Sequence, residues 1–319
     1  MKKLCRIFLV AAILLFCTAI LPTEAQAASS GTCGYNLRWK LDEEGTLTIA
    51  GYGPMDIFNS TNILWKSNRN MKVINVVILD GVTSIGNYAF FKTGIKSITI
   101  PDSVTSFGNY AFSNCGELTS VTVSDKVTKI GHFAFQNCTN LSNFSISDSI
   151  TAIGDSAFAG CTSLSSINIP DSVTQIGTQA FNNCKALKSV AISNNVTYIA
   201  NDTFRGCNQL TSVSFLNSLI RIDDSAFYRC TRLSCVILPD GFTTIGECAF
   251  SCCESLTSII IPNSVTRIGF GAFNECENLT SITLPDKITY ILDRTFIECK
   301  KLTSITIPDG VIKIGQSAF

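Results

Sequence analysis

The stretch Ile169-Pro170-Asp171-Ser172-Val173-Thr174-Gln175-Ile176-Gly177, continued by Ala180-Phe181-Asn182-Asn183-Cys184 and Leu187, is one line of a text that the chain writes many times. Outward from it the phenylalanine returns at Phe90, Phe112, Phe135, Phe158, Phe181, Phe204, Phe227, Phe250, Phe273, Phe296 and Phe319, spaced by 22 once and by 23 nine times. Alanine precedes it except at Thr203 and Thr295. Three residues after it stands a cysteine in nine successive units: Cys115, Cys138, Cys161, Cys184, Cys207, Cys230, Cys253, Cys276 and Cys299. Six after it stands a leucine, from Leu118 to Leu302. The first unit, Phe91-Lys92-Thr93-Gly94-Ile95, is one residue short and lacks the cysteine. A strict period of this size specifies stacked units that bury one continuous core.

The pattern inside one period predicts the shape of a coil. Leu118-x-x-Val121-x-Val123 alternates with period two, as a half-buried strand does. A turn follows, written Pro-Asp-Ser at 101–103 and 170–172 and Pro-Asp-Gly at 239–241 and 308–310. The return half, Val104-x-x-Phe107-Gly108-x-x-Ala111-Phe112-x-x-Cys115, spaces its apolar groups three to four apart, which predicts a short helical or 3₁₀ turn. Neighbouring strands must then pair in parallel. At about 4.8 Å per coil, ten to eleven coils form a rod on the order of 50 Å long.

The columns at Ile169–Gly177 and Ala180–Leu187, recurring together over about 240 residues, resemble the 23-residue leucine-rich repeat of BspA-like bacterial surface proteins. The segment from Gly31-Thr32-Cys33-Gly34 through Trp39-x-Leu41 to Leu47-Thr48-Ile49 is similar to what precedes such repeats. It reads as a β-rich cap with Asp42-Glu43-Glu44-Gly45 as a hairpin turn, covering the otherwise open apolar face of the first coil. The expected organisation is therefore residues 1–28 as an export signal, 29–78 as the cap and 79–319 as the solenoid, with its last coil incomplete. The resemblance implies adhesion to host matrix, host cells or other bacteria. The alternative is a structural spacer within a larger surface protein.

Lys2, Lys3 and Arg6 precede an apolar run from Ile7 to Leu21, which Pro22 breaks before Ala25-Gln26-Ala27. That is the layout of a cleaved secretory signal, and the run is short of the roughly 20 residues needed to span a bilayer. A secreted or cell-surface protein is expected, with no membrane insertion after signal removal. The whole chain balances 24 basic against 24 acidic groups, and signal removal leaves 21 against 23. Nothing in that balance draws it to nucleic acid. One histidine, His132, excludes a multi-histidine metal site, and no phosphate loop, dinucleotide fingerprint or Gly-x-Ser-x-Gly elbow occurs. No enzyme activity and no cofactor or metal are expected.

Columns then carry the chemistry. The nine cysteines should point into the coil interior, too parallel for good disulfides, as small apolar groups whose S–H reaches the adjacent turn. Ten residues before each phenylalanine stand Asp80, Asp102, Asp125, Asp148, Asp171, Asn194, Asn217, Asp240, Asn263, Asp286 and Asp309. These are expected to cap turns rather than to hold Ca²⁺. The glycine column four before the phenylalanine, broken by Ala200, Asp223 and Leu292, is expected to keep the turn slim, and His132 to be an exposed turn residue. The outward strand column reads Thr99, Thr122, Ser145, Asn168, Ala191, Ser214, Ile237, Ile260, Thr283 and Thr306, with no charge. Ile237 and Ile260, with Cys235 beside them and Ser214 and Thr283 flanking, form the candidate site for an extracellular protein or glycan. Cys248 and Cys252 stand in columns normally held by polar residues, where they are expected to be partly exposed and could pair with each other or with another chain. The incomplete last coil is a second place where chains could self-associate.

Overall fold

The computed structural model describes residues 29–66, 72–215 and 217–319. The expected signal segment, 1–28, lies outside the described residues. The chain folds from an antiparallel start into a parallel solenoid. Strands β1 (Ser29–Gly34), β2 (Asn36–Leu41) and β3 (Thr46–Pro54) form an antiparallel meander. The predicted turn closes β2 onto β3: the Thr46 N–H donates to Asp42 Oδ1 at 2.7 Å. Gly45 takes φ +81°, and a Cβ there would stand 2.5 Å from the Lys72 carbonyl oxygen, so only glycine fits.

β3 is the strand that changes the mode of pairing. Its first half pairs in parallel with β4 (Asn75–Ile78), and its far end pairs with β5 (Val82–Ile85). One strand of the cap thus starts both parallel ladders. The first ladder runs through Ser97–Thr99, Ser120–Thr122 and Asn143–Phe144, and then from Ile167–Asn168 to Ser281–Ile282. Each register step is one repeat, as in Ser189↔Ser212 and Ile237↔Ile260. The second ladder uses two-residue strands such as Lys129–Ile130, Ala152–Ile153 and Gln175–Ile176.

The return half departs from the expected helical or 3₁₀ turn. The one 3₁₀ segment among the described residues, Leu64–Lys66, lies before the solenoid. Around each phenylalanine the N–H groups alternate between two uses. The Ala134, Gln136 and Cys138 N–H groups donate three residues back within their own coil, while those of Phe133, Phe135 and Asn137 donate to Asp155, Ala157 and Ala159 of the next coil. A helix keeps its bonds inside one segment. Here half of them stitch coils together, so the segment is a run of tight turns. The apolar spacing suits both, because either arrangement turns the chain at a similar pitch. Two columns accordingly take positive φ, at Tyr110, Phe133, Gln179 and Ser225 two before the phenylalanine and at Asn114, Asn137, Asn183 and Arg229 two after it.

The core is a file of rings. Successive phenylalanines from Phe90 to Phe319 stack with centroids 5.1–5.7 Å apart and planes within 22° of parallel. Trp65 extends the file into the cap, 5.8 Å from Phe90. Phe90 through Phe273 are fully buried. Replacing Phe181 by alanine empties a site bounded by two rings and should cost about 3–5 kcal/mol, read as a fall in the denaturant midpoint. Truncating the half-exposed Phe319 should cost far less.

Candidate binding face

Strand alternation sends one set of side chains inward and the other to solvent. In the first ladder Ile98, Val121, Val190, Val213, Val236 and Ile259 are buried, while the residues on either side of each are exposed. The outward column from Thr99 to Thr306 is exposed at every coil, as expected. A second outward column, two residues earlier, follows from the same alternation: Ser97, Ser120, Asn143, Ser166, Ser189, Ser212, Cys235, Ser258, Ser281 and Ser304, all exposed. Together they make a face of hydroxyl, amide and methyl groups without one charge.

Two coils break its polarity. Ile237 and Ile260 are 66% and 71% exposed and pair directly across the ladder, so their side chains stand side by side. Cys235 is exposed on the same strand, opposite Ser258 and Ser212. Ser214 and Thr283 flank the two isoleucines in the neighbouring coils. The structure thus brings all five sequence-predicted residues onto one face.

The other columns are occupied by the fold. Each ladder cysteine is buried, and its thiol donates to the carbonyl of the phenylalanine one coil back, at 2.9–3.3 Å from Cys115 to Cys299. In the first coil Thr93 takes this place, its hydroxyl donating to Phe90 O at 2.8 Å and lying 3.3 Å from the Cys115 sulfur. Burial pushes the Cys161 and Cys207 thiols up to about 12, a preference that the backbone hydrogen bonds partly oppose. The column three before the phenylalanine is a ladder of acceptors. Asn87, Asn109, His132 and Asp155 each accept the N–H of the residue one coil on. His132 is exposed, and its Nδ1 lies 3.0 Å from the Asp155 N and 3.1 Å from Asp155 Oδ2.

The aspartate column behaves differently from the expected caps. Its members are exposed, and the one carboxylate bond seen among the described residues is long, from the Asn194 N–H to Asp171 Oδ1 at 3.4 Å. The turns close through backbone bonds such as Val173 N–H to Pro170 O and through Ser172 Oγ to Ile150 O. Cys248 and Cys252 take positive φ on either side of Phe250. Cys248 is half-buried, whereas Cys252 is buried and donates to Glu275 Oε2 at 3.5 Å. The expected partial exposure holds for Cys248 alone of the two.

The BspA-type leucine-rich repeat region matches residues 61–188, 128–253 and 197–319, in six copies. The chain belongs to the BspA-type leucine-rich repeat family. Among solved structures it is similar to a leucine-rich repeat protein from Bacteroides ovatus, at 28% identity and a TM-score of 0.64, over 89% of this chain and 78% of that one. It is also similar in fold to a leucine-rich repeat protein from Eubacterium ventriosum, at 22% identity and a TM-score of 0.55, over 92% and 95% of the two chains. No curated protein matches.

The thiol ladder of this BspA-type repeat makes it sensitive to alkali. An unfolded thiol loses its proton near pH 9, while Cys161 and Cys207 hold theirs to about 12. Their contribution is complete below pH 9 and is lost as pH rises from 9 toward 12, with a slope of up to about 1.4 kcal/mol per pH unit for each thiol. Melting temperatures measured from pH 7 to 11 should fall steeply above 9. The double variant Cys161→Ala and Cys207→Ala, less stable at pH 7, should show a shallower fall; an unchanged slope would remove the thiols as its cause.

Proposed function

We propose that this chain is an exported or cell-surface protein that recognises an extracellular protein or glycan through its first strand ladder. The observation that carries this reading is the uncharged face broken at two adjacent coils by Ile237 and Ile260. Solvent-exposed protein surface normally mixes charges of both signs. A long face without them, carrying two large apolar groups side by side, suits a surface that is covered when the protein acts.

Binding rather than catalysis fits the rest of the chain. Cysteine thiols, threonine hydroxyls, and several asparagine and aspartate side chains are engaged by neighbouring coils, which leaves few polar groups to converge on a substrate. Membership of a leucine-rich repeat family supports the same reading. Among the described residues no helix is long and apolar enough to cross a membrane. The exported setting rests on the sequence of residues 1–28, and adhesion on the family resemblance.

The test is an array of matrix proteins and glycans probed with the mature chain and with the double variant Ile237→Ser and Ile260→Ser. Both positions are exposed, so the melting temperature should hold within a degree or two. Binding to the recognised ligand should fall at least tenfold, as removal of hot-spot side chains requires. Equal binding by the two proteins would displace the site from this patch, and no binding to any class would favour the spacer role.

A further inference from the structure

We propose that the partner of the strand face is a second copy of this chain, docked face to face about a two-fold axis between the coils of Ile237 and Ile260. The inference rests on the reading of this face as the binding surface and names what covers it. Counting coils of the face from the strand Ser97–Thr99 as the first, Cys235–Ile237 lies in the seventh, Ser258–Ile260 in the eighth and the extended segment Ser304-Ile305-Thr306 in the tenth. A two-fold axis along the strand direction between the seventh and eighth reverses the order of coils and keeps each column over itself. Ile237 then lies over the partner's Ile260, Ser214 over the partner's Thr283, and Cys235 over the partner's Ser258. Each contact occurs twice, as in any isologous interface.

The rim of the face carries the charge pattern that this arrangement needs. The exposed turn column beside the strands is aspartate in the first four coils, Asp102, Asp125, Asp148 and Asp171. In coils five to ten it reads Asn194, Asn217, Asp240, Asn263, Asp286 and Asp309. Reversal about the axis sets Asn194 against the partner's Asp309, Asn217 against the partner's Asp286 and Asp240 against the partner's Asn263. Every facing pair joins one amide to one carboxylate, and no two carboxylates meet. All three asparagines of the column fall inside the overlap, while coils one to four, wholly aspartate, fall outside it. On the opposite rim Glu254 lies over the partner's Thr231, one residue from the partner's Arg232, near the axis. At the ends Lys185 comes toward the partner's Lys300, whose charge Glu277 offsets from 2.6 Å.

Shape agrees with charge. From Phe135 to Phe319 the rings repeat every 5.4–5.7 Å, more than the roughly 4.8 Å between paired strands, so the solenoid opens on the phenylalanine side and its strand face is gently concave. Two concave faces leave their widest gap at the axis, where the two largest side chains of the overlap stand. The repeat adds a further match, since a second copy is a partner whose side-chain rows have the same spacing. The overlap spans six coils, roughly 29 Å by 10 Å, or about 300 Å² of face per copy. That is small for a protein interface and predicts a weak, reversible dimer.

Sedimentation of the mature chain under reducing conditions, from about 1 to 500 µM, should show reversible dimers. Asn217→Asp places a carboxylate against the partner's Asp286 and should weaken dimerisation about tenfold, more at low salt. Adding Asp286→Asn to that variant should restore it to within about twofold. Positions 217 and 286 lie three coils apart in one chain, so restoration reports contact between chains. Ile237→Ser with Ile260→Ser should leave only monomer at an unchanged melting temperature. Monomer throughout the range, or dimers indifferent to Asn217→Asp, would overturn the proposal. Monomers that still bind an array ligand through Ile237 and Ile260 would overturn self-pairing while leaving the proposed function standing.

Discussion

Every side chain in this solenoid must tolerate a near-copy of itself about 5 Å away, and the structure follows from that constraint. The rings of the core meet it by stacking, with centroids 5.1–5.7 Å apart. Polar columns meet it by bonding to the neighbouring coil's backbone. Thr151 and Thr174 hydroxyls donate to the carbonyls of Thr128 and Thr151, and Asn109 and Asp155 accept the next coil's N–H. Charged side chains meet it worst, because like charges in a row repel. That accounts for a charged content of 15%, against about 25% in ordinary soluble domains.

The same constraint explains how the coil absorbs its exceptions. At Gly108, Gly131, Gly154, Gly177, Gly246 and Gly269 a Cβ would come within 2.5–2.8 Å of the preceding coil. None of them has positive φ, so the column serves close approach, as its substitution by Ala200, Asp223 and Leu292 implied. Two of those three substituted coils also replace the usual alanine by threonine. The Thr203 and Thr295 hydroxyls donate at 2.7 Å to the carbonyls of Ala200 and Leu292. The added bond holds the turn where the larger residue crowds it. Thr93 is a parallel case, a hydroxyl standing where later coils place a thiol.

Most of the architecture was legible because it is periodic. The phenylalanine and cysteine columns, the parallel pairing and the cap turn at Asp42–Gly45 all follow from spacing and turn chemistry. The conformation of the return half did not. A helix and a run of tight turns both bring apolar groups to one side every three or four residues, so Val104, Phe107, Ala111 and Phe112 could not distinguish them. Backbone conformation gave no sign either. Left-handed φ usually announces itself by glycine or asparagine, yet Tyr88, Tyr110, Phe133 and Arg229 adopt it here. The strain at each is offset by the N–H that the conformation turns toward the next coil, as in Tyr110 to His132 O at 3.0 Å. The aspartate column misled for a related reason: backbone and serine bonds already close its turns, leaving the carboxylates to solvent.

What remains for recognition is the chemistry that stacking does not use. Inward columns are full, and the acceptor column three before the phenylalanine is taken up by the backbone of the next coil. The first strand ladder is different, because its outward side chains extend from a sheet whose backbone bonds are already made. A change there does not disturb the file of rings beneath it. Ile237 lies above buried Val236, which remains in register with Val213 and Ile259 whatever stands outside. Identity on this face can therefore vary coil by coil while the core stays periodic, and a site is written wherever adjacent coils depart together from the common serine and threonine. On the rim, solvent screens the repulsion between neighbouring carboxylates of one chain, and a docked copy would displace that solvent. Replacement of three of them by asparagine, confined to coils five to eight, is then a feature that stacking within one chain does not demand.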